Sequence, residues 1–464
     1  MAPSVNGGFK SVRRRRDAGY FVSSESGKLN DSYNAILDTF RERIVLLEIL
    51  QHKHTPLDPA LAPRSEVVTR DPTWQVFLNQ ISWLCDYDKG GDSTSSLAVE
   101  GTPEGPKYWL AANFDKNREG VKHLRKVLGM LSQLSTLPLD KHRPVCDEIL
   151  KDSIDFCERK FSNYEKSLKT AIHFAVKSID QEEDSQEKKL LEDVQALLEL
   201  DTRLKRSVSA FKYATTSTLR KVHRKHRDNA PKDAGSAWYE VCHYTGRLGS
   251  WVRAVRVLVY FVRKHPQVLG DFQVDFVAAP QICKPLLQKC NPKLRDVLRR
   301  MLPENKVRAV RLSRRLESFR AFDFEAAFSR KWTEKKYTAR SHAELMLLDH
   351  FWRNNLAFFQ NVEFVGSSKR SCYCCNLFFD LHNRNITTRL THGNAWSKWC
   401  LPPGLGRADK RRLAQGQVTI LERMNEKIAL DILHLIEEGV LRRVRFKDST
   451  TGMWTAPTLS SSMK

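Results

Sequence analysis

Ser341-His342-Ala343-Glu344 and Cys372-Tyr373-Cys374-Cys375 are the two segments of this 464-residue chain whose chemistry is easiest to interpret. Together they supply an imidazole, a carboxylate and two thiols three residues apart. A catalytic zinc site holds its ion with three protein ligands of these types and leaves a fourth position for water. We therefore predict that His342, Cys372 and Cys375 bind zinc (Zn2+).

The flanking residues predict that each segment opens a helix. Apolar residues at helical spacing follow His342, and a strand candidate at 362–365 separates the two segments. Cys372 and Cys375 are one helical turn apart, so both sulfurs can face the same ion. A helix that begins near Ser371 would place its positive end beside these thiols and favour their thiolate forms.

Glu344 is the candidate proton shuttle. It follows His342 by two residues, where its carboxylate can reach a zinc-bound water without binding the metal. We expect it to take a proton from that water and pass it to the substrate.

Each segment taken alone permits other interpretations. A C-x-x-C pair also fits a redox site, and a structural zinc site would take a fourth ligand from Cys374, Cys400 or His392. His392 is either a substrate contact or, as we prefer, a hydrogen-bonded histidine in a glycine-containing turn. Trp396 and Trp399 either stack on a base or pack in the interior, and packing is the commoner role.

Composition indicates a globular protein with a basic surface. The hydrophobic content is 41% and the charged content 28%, which excludes a wholly disordered chain. A formal net charge of +23 favours a nucleotide or nucleic acid (RNA or DNA) as partner, although solvated basic helix faces give the same excess.

The ends and apolar stretches of the chain bear on its location. The first residues contain Arg13-Arg14-Arg15-Arg16 and no apolar signal-peptide core. The most apolar stretch, 252–262, is interrupted by two arginines and is too short to span a bilayer. We expect an intracellular protein, cytoplasmic or nuclear, with no transmembrane segment; the sequence does not indicate its oligomeric state.

Patterning predicts three regions along the chain. Residues 1–28 are predicted to be a disordered basic tail, 29–305 a mostly helical region, and 306–464 a zinc-binding domain. Within the helical region, apolar residues at 121–134 and 190–198 recur at helical steps. Residues 86–107 are rich in Gly, Ser, Thr and Pro and predict a long loop.

The order of strand and helix patterns in residues 306–464 predicts an α/β fold. The strand candidate at 362–365 is followed by an amphipathic helix at 421–435 that ends near Gly439, and by a second strand candidate at 440–446. Two basic segments, 220–227 and 293–315, lie upstream. Each is equally consistent with a phosphate-binding surface and with a plain charged helix face.

The order of these motifs resembles a known superfamily. Gly366-Ser367-Ser368-Lys369-Arg370-Ser371 leads into the cysteines, and His392-Gly393 followed by Trp399 lies downstream. With the His-x-Glu and C-x-x-C segments, this resembles the cytidine-deaminase-like zinc superfamily. It looks closest to a poorly characterised group of deaminase-like proteins found widely in fungi.

The resemblance implies both a fold and an activity. It implies a three-layer α/β sandwich for the C-terminal domain, preceded by the mostly α-helical region, and a strand hairpin before His342, although residues 306–340 read as helical. It also implies a zinc-dependent hydrolytic deaminase of a base in a nucleotide or nucleic acid, with Glu344 as proton shuttle. The alternative is an inactive deaminase-like protein that uses structural zinc and its basic helical region to bind nucleic acid or a protein partner.

Overall fold

The computed structural model describes most of the chain as a helical protein with one mixed sheet. The described residues are 24–52, 73–113, 117–177, 185–216, 218–219, 221–222, 237–278, 292–319, 322–334, 338–382, 385–402 and 410–438. The helices within them are α1 Ser24–His52, α2 Trp74–Leu84, α3 Asn117–Thr136, α4 His142–Phe156, α5 Glu158–Lys177, α6 Ser185–Leu198, α7 Arg203–Thr215, α8 Ala237–Leu248, α9 Ser250–Lys264, α10 Leu294–Met301, α11 Lys306–Glu317, α12 Phe324–Trp332, α13 Ala343–Arg353, α14 Tyr373–Leu381 and α15 Lys410–Glu438. Short 3-10 helices occur at Leu139–Lys141, Pro266–Leu269 and Phe359–Asn361.

The sheet joins strands that are far apart in sequence. Its strands are β1 Ser95–Thr102, β2 Gly105–Ala112, β3 Gln273–Phe276, β4 Phe364–Ser367 and β5 Thr387–Thr388, in the order β3-β2-β1-β4-β5. β1 pairs antiparallel with both β2 and β4, while β3 and β5 extend the sheet in parallel. The sheet thus takes strands from both sides of residue 306.

The loop predicted at 86–107 is wrong over most of its length. β1 and β2 form a hairpin there, paired from Ser95 with Ala112 to Thr102 with Gly105. Helices cover both faces of β1, and its small residues are buried. A strand buried on both faces lacks the polar and apolar alternation by which strands are recognised. This hairpin precedes His342 in sequence, as the resemblance implied, but it lies far upstream of 306–340.

Two apolar clusters contact the sheet, one on each face. Alternate strand residues point to opposite faces, so Leu97 and Val99 pack with α2–α9 while Ala98 packs with α1 and α10–α15. The predicted helical faces at 121–134 and 190–198 are confirmed as buried faces of α3 and α6.

β4 runs through a glycine where the strand was predicted to end. Gly366 is buried under α2, and a Cβ atom at this position would lie 2.6 Å from the Leu78 Cβ and 2.8 Å from the Leu78 carbonyl carbon. Because no side chain fits in this space, Gly366 lets α2 pack directly on β4, next to the segment that leads to the cysteines.

We expect Gly366→Ala to lower the free energy of unfolding by about 1–3 kcal/mol, since the added methyl group forces α2 away from β4. Denaturant unfolding of purified protein measures the change. Gly129→Ala on α3 is the matched control, because a Cβ there meets nothing within 4 Å, and it should be neutral or slightly stabilising. Equal stability of Gly366→Ala and the parent protein would contradict the close packing.

The two ends of the described chain are helical. α1 begins at Ser24, inside the stretch predicted to be a disordered tail, and residues 1–23 lie outside the described residues. The amphipathic helix predicted at 421–435 is confirmed as part of α15, which packs against α1. The helix end at Gly439 and the strand at 440–446 lie outside the described residues.

Part of the second basic segment holds helices together. Arg300 pairs with Glu42 of α1 at 2.8 Å, and Arg308 binds both carboxylate oxygens of Glu437 of α15 at 2.8 Å. These pairs fix α10 and α11 to the terminal helices. Most of the first basic segment lies outside the described residues. Within the described helices, none has both the length and the apolar character needed to cross a bilayer.

Candidate metal centre

The three predicted ligands meet where two helices begin. His342 is the residue that precedes α13, and Cys372 is the residue that precedes α14. Both have extended backbones, with ψ angles of 156° and 169°. The prediction that both segments open helices is therefore confirmed. β4, between the two helices in sequence, pairs with β1 and brings both helix starts to one place.

The donor atoms of His342, Cys372 and Cys375 form one cluster. The His342 Nδ1 atom lies 3.2 Å from the Cys375 sulfur and 3.5 Å from the Cys372 sulfur. The Cys375 backbone N–H donates to the Cys372 sulfur at 3.4 Å. All three ligand atoms lie within 4.8 Å of one another, and both cysteines are buried. The structure thus shows a possible metal site made of these three residues.

The donor set fits zinc. Bonds of about 2.0–2.3 Å to a tetrahedral ion separate its ligand atoms by roughly 3.3–3.8 Å, close to the distances found here. Two thiolates and a neutral imidazole are ligands that zinc prefers over the harder cations. In the described residues this is the one group of three such side chains close enough to hold a metal.

The pKa values of the Cys372 and Cys375 thiols are shifted in opposite directions. Burial alone would raise the pKa of Cys372, but the hydrogen bond from Cys375 and the charge of His342 outweigh it and hold that pKa well below its ordinary value. Burial and hydrogen bonding to the Cys372 sulfur raise the pKa of Cys375. One thiolate is therefore already favoured without a metal, and a bound cation would favour the second.

Glu344 lies in the first turn of α13, beside the cluster. It is 3% exposed, and its Oε2 atom is buried with no hydrogen-bond partner among the described residues. Burial raises the pKa of its carboxyl group, and the charge of His342 partly offsets this effect. A buried carboxylate oxygen that lacks a partner is costly for folding alone, and here it lies beside the donor cluster.

A cavity of about 430 Å³ opens onto the cluster. Its wall includes His342, Cys372 and Glu344, with His392 and Trp396 from the downstream segment. Four cationic side chains also line it, against the carboxylates of Glu344 and Asp92: they are Arg340, Lys369, Arg370 and Lys398. The cavity falls within the range of small-molecule binding sites, roughly 300–1,000 Å³.

The other residues that the sequence indicated differ in where they lie relative to the cavity and the donor cluster. His392 lines the cavity, yet its Nδ1 atom also accepts the Asn394 N–H at 3.0 Å in a turn where Gly393 has a φ of +75°. Trp396 lines the cavity, whereas Trp399 is buried. Cys374 and Cys400 are not part of the metal-binding group that the described residues form.

Trp399 contacts Cys375, one of the three candidate metal ligands. Its indole Nε1–H donates to the Cys375 sulfur at 3.2 Å, and its ring packs against Phe40 of α1 and Phe378 of α14. A donor to a ligating sulfur orients the ligand and tunes its affinity for metal.

We expect Trp399→Phe to weaken zinc binding about tenfold, because the ring stays packed while the N–H to Cys375 is lost. Competition with a chromophoric chelator measures this affinity. Trp332→Phe, which alters a buried tryptophan in the same apolar cluster, is the control and should leave the zinc affinity unchanged. An unaltered affinity in Trp399→Phe would show that the indole only packs.

α1 holds the downstream wall of the cavity in place. Gln51 donates to the Gly393 carbonyl at 3.2 Å and accepts the Ala395 N–H at 2.7 Å, and Glu48 accepts the Ser397 N–H at 2.8 Å. α1 thereby fixes the segment that carries His392 and Trp396. Local sequence pattern does not indicate this contact, because the partners are more than 300 residues apart.

Asn113 is a further residue of the cavity wall, and the sequence pattern did not indicate it. It follows β2, lines the cavity, and accepts the Ala343 N–H at 2.7 Å, so it fixes the start of α13. Its own amide donates to the Gly91 carbonyl at 2.8 Å. The apolar run of β2 that ends in Asn113 is a visible sequence signal. The contact between Asn113 and Ala343 is not, because the two residues are 230 positions apart.

Comparison with known protein families matches the segment that contains the candidate metal centre. A family model described as OTT_1508-like deaminase matches residues 341–403, which include His342, Glu344, Cys372 and Cys375. The match covers a small part of the chain and supports a deaminase-like domain at its C-terminal side. No curated protein and no solved structure matches.

Proposed function

We propose that the protein is a zinc-dependent hydrolytic deaminase that acts on a base in a nucleotide or nucleic acid. The observation that carries this proposal is the placement of Glu344. Its buried carboxylate, with one oxygen lacking a partner, lies beside a three-donor cluster and faces a cavity of small-molecule size. The deaminase family match over the same residues supports it.

The chain's own residues provide the remaining requirements of the reaction. Zinc held by His342, Cys372 and Cys375 would polarise a water molecule and lower its pKa. Burial raises the pKa of Glu344 above its ordinary value, which favours a group that both accepts and returns a proton. Asn113 holds the helix start that carries Glu344 at the cavity wall.

A single carboxylate can carry out the proton transfers that deamination requires. Water adds to the ring carbon that bears the amino group, and the C–N bond to that amino group then breaks to release ammonia. Glu344 takes one proton from the water and delivers it to the adjacent ring nitrogen. It then takes the proton of the newly formed hydroxyl group, which becomes the product carbonyl, and transfers it to the departing amine. Each proton that leaves water ends on the product or on ammonia, so no further acid or base is required.

The proposal extends to features beyond the chemistry. The four cationic side chains around the cavity support a nucleotide or nucleic acid as substrate. The helices on both faces of the sheet support a three-layer α/β sandwich around it. An intracellular location, cytoplasmic or nuclear, suits eight described cysteines that are all free thiols.

The test is an unbiased deamination screen. Zinc-loaded full-length protein is incubated with cytosine- and adenine-containing bases, nucleosides, nucleotides, RNA and DNA, and products are separated by chromatography. We expect conversion of cytosine to uracil or of adenine to hypoxanthine in at least one class. Protein with one zinc per chain that stays inert on the whole panel would overturn the proposal.

A further inference from the structure

We propose that Arg340 and Lys398 form a phosphate subsite in the wall of the cavity, so that the substrate presents a phosphate group beside its base. This inference rests on the proposed function, because it assumes that the base occupies the part of the cavity near Glu344. It names the chemical group that the cavity recognises, which the deaminase chemistry alone leaves open.

Backbone hydrogen bonds join the segments that carry these two cations. The Arg340 N–H donates to the Lys398 carbonyl at 2.9 Å, and the Cys400 N–H donates to the Arg340 carbonyl at 3.1 Å. Arg340 and Trp399 form a parallel bridge. Both side chains line the same cavity, where a bound anion would offset their positive charges.

Arg340 also points to the same cavity as a metal ligand. It precedes His342 by two residues in an extended segment, where residues i and i+2 lie on one side. Both side chains line the cavity. The backbone of two extended residues spans about 7 Å, a length comparable to that of a sugar.

An exposed carboxylate lies beside each of the two cations. A guanidinium nitrogen of Arg340 lies 3.6 Å from a carboxylate oxygen of Asp92, whose side chain is 87% exposed. Lys398 lies 2.8 Å from Glu334, and both side chains are more than a third exposed. Exposed ion pairs of this kind contribute little to stability. A phosphate offers the guanidinium a bidentate and more strongly charged partner.

Lys369 has a different role. Its ammonium lies 3.5 Å from the carboxylate of Asp86, a fully buried residue that also pairs with buried Lys160 at 3.0 Å. It also contacts the Gly90 carbonyl and the Thr94 hydroxyl. Lys369 is therefore built into the loop that forms one side of the cavity, and it contributes positive potential rather than a replaceable contact.

The experiment measures binding rather than turnover. Zinc-loaded full-length protein is titrated with cytidine and adenosine, with their 5′-monophosphates, with inorganic phosphate, and with a short single-stranded RNA and DNA. The same titrations are made with Arg340→Gln, Lys398→Gln and Arg340→Lys. Arg330→Gln, which alters an exposed arginine on α12 outside the cavity wall, is the matched control.

We expect the monophosphate to bind at least about tenfold more tightly than its nucleoside, and inorganic phosphate to compete with it. Arg340→Gln and Lys398→Gln should each remove most of that tenfold difference while nucleoside binding changes less than twofold. Arg340→Lys should fall between, since it keeps the charge but loses the bidentate contact. Preference for the monophosphate over the oligonucleotides identifies a free nucleotide as the phosphate source, and the reverse identifies a strand.

Equal binding of nucleoside and monophosphate, or equal binding of the monophosphate by Arg340→Gln and Arg330→Gln, would overturn the subsite. The two proposals fail separately. Phosphate-dependent binding without any deamination upholds the subsite and refutes the deaminase, whereas deamination of a nucleoside at a rate unaffected by both variants does the opposite. Far-ultraviolet circular dichroism of each variant confirms that it is folded before the titrations are compared.

Discussion

Glu344→Gln should lower the turnover number for the deaminated base at least about 100-fold, while the protein keeps one zinc per chain. The amide keeps the shape of the buried carboxyl group but cannot take a proton from water or return one to the substrate. Glu344 is also not one of the three donors in the metal cluster, so zinc binding should persist. Steady-state kinetics and metal analysis on the same preparation measure both quantities.

The control for this variant is Glu363→Gln, which alters an exposed carboxylate just before β4 and outside the cavity wall. It should leave both turnover and zinc content unchanged. A Glu344→Gln protein whose turnover number stays within a few-fold of the parent value would refute the shuttle role, whatever its zinc content.

Cys372→Ser should weaken zinc binding by more than about 100-fold, beyond what changes around the ligands cause, and should abolish deamination. The hydroxyl is a poor zinc ligand, and the cluster is left with only two protein donors. Zinc content after dialysis and affinity in chelator competition measure the loss. Cys374→Ser is the matched control, because Cys374 is equally buried two residues away and is not part of the donor cluster.

The same variant separates the proposed enzyme from an inactive protein held together by structural zinc. In an enzyme whose fold rests on its two apolar clusters, zinc-free Cys372→Ser keeps a cooperative thermal unfolding transition. If zinc is instead a structural element of the fold, the C-terminal helices unfold with its loss and Glu344→Gln has no measurable effect. Retained activity in Cys372→Ser would refute both accounts of the site.

The metal cluster was predictable because its parts are close in sequence. His342 and Cys372 each precede a helix, and Cys375 lies one turn after Cys372, so local helical geometry alone aligns them. β4 was found at nearly the predicted position for the same reason. Its extension through Gly366 was not, because the glycine reflects contact with α2, almost 290 residues away.

The hairpin and the outer wall of the site could not be predicted from local pattern. β1 is covered on both faces, so its small residues carried no strand signal and resembled a loop. Asn113 follows β2, and Gln51 lies on α1. Both residues contact the site only because the tertiary fold brings them there. Sequence periodicity reports which face of an element is buried but not which distant element covers it.

The most direct test of the proposed metal centre is the zinc X-ray absorption spectrum of the full-length protein. We predict a first shell with two sulfur atoms at about 2.3 Å and only nitrogen or oxygen atoms at about 2.0–2.1 Å in the remaining positions. That shell corresponds to His342, Cys372 and Cys375 with one position open to water. A shell with three or four sulfur atoms, or with no sulfur, would contradict it.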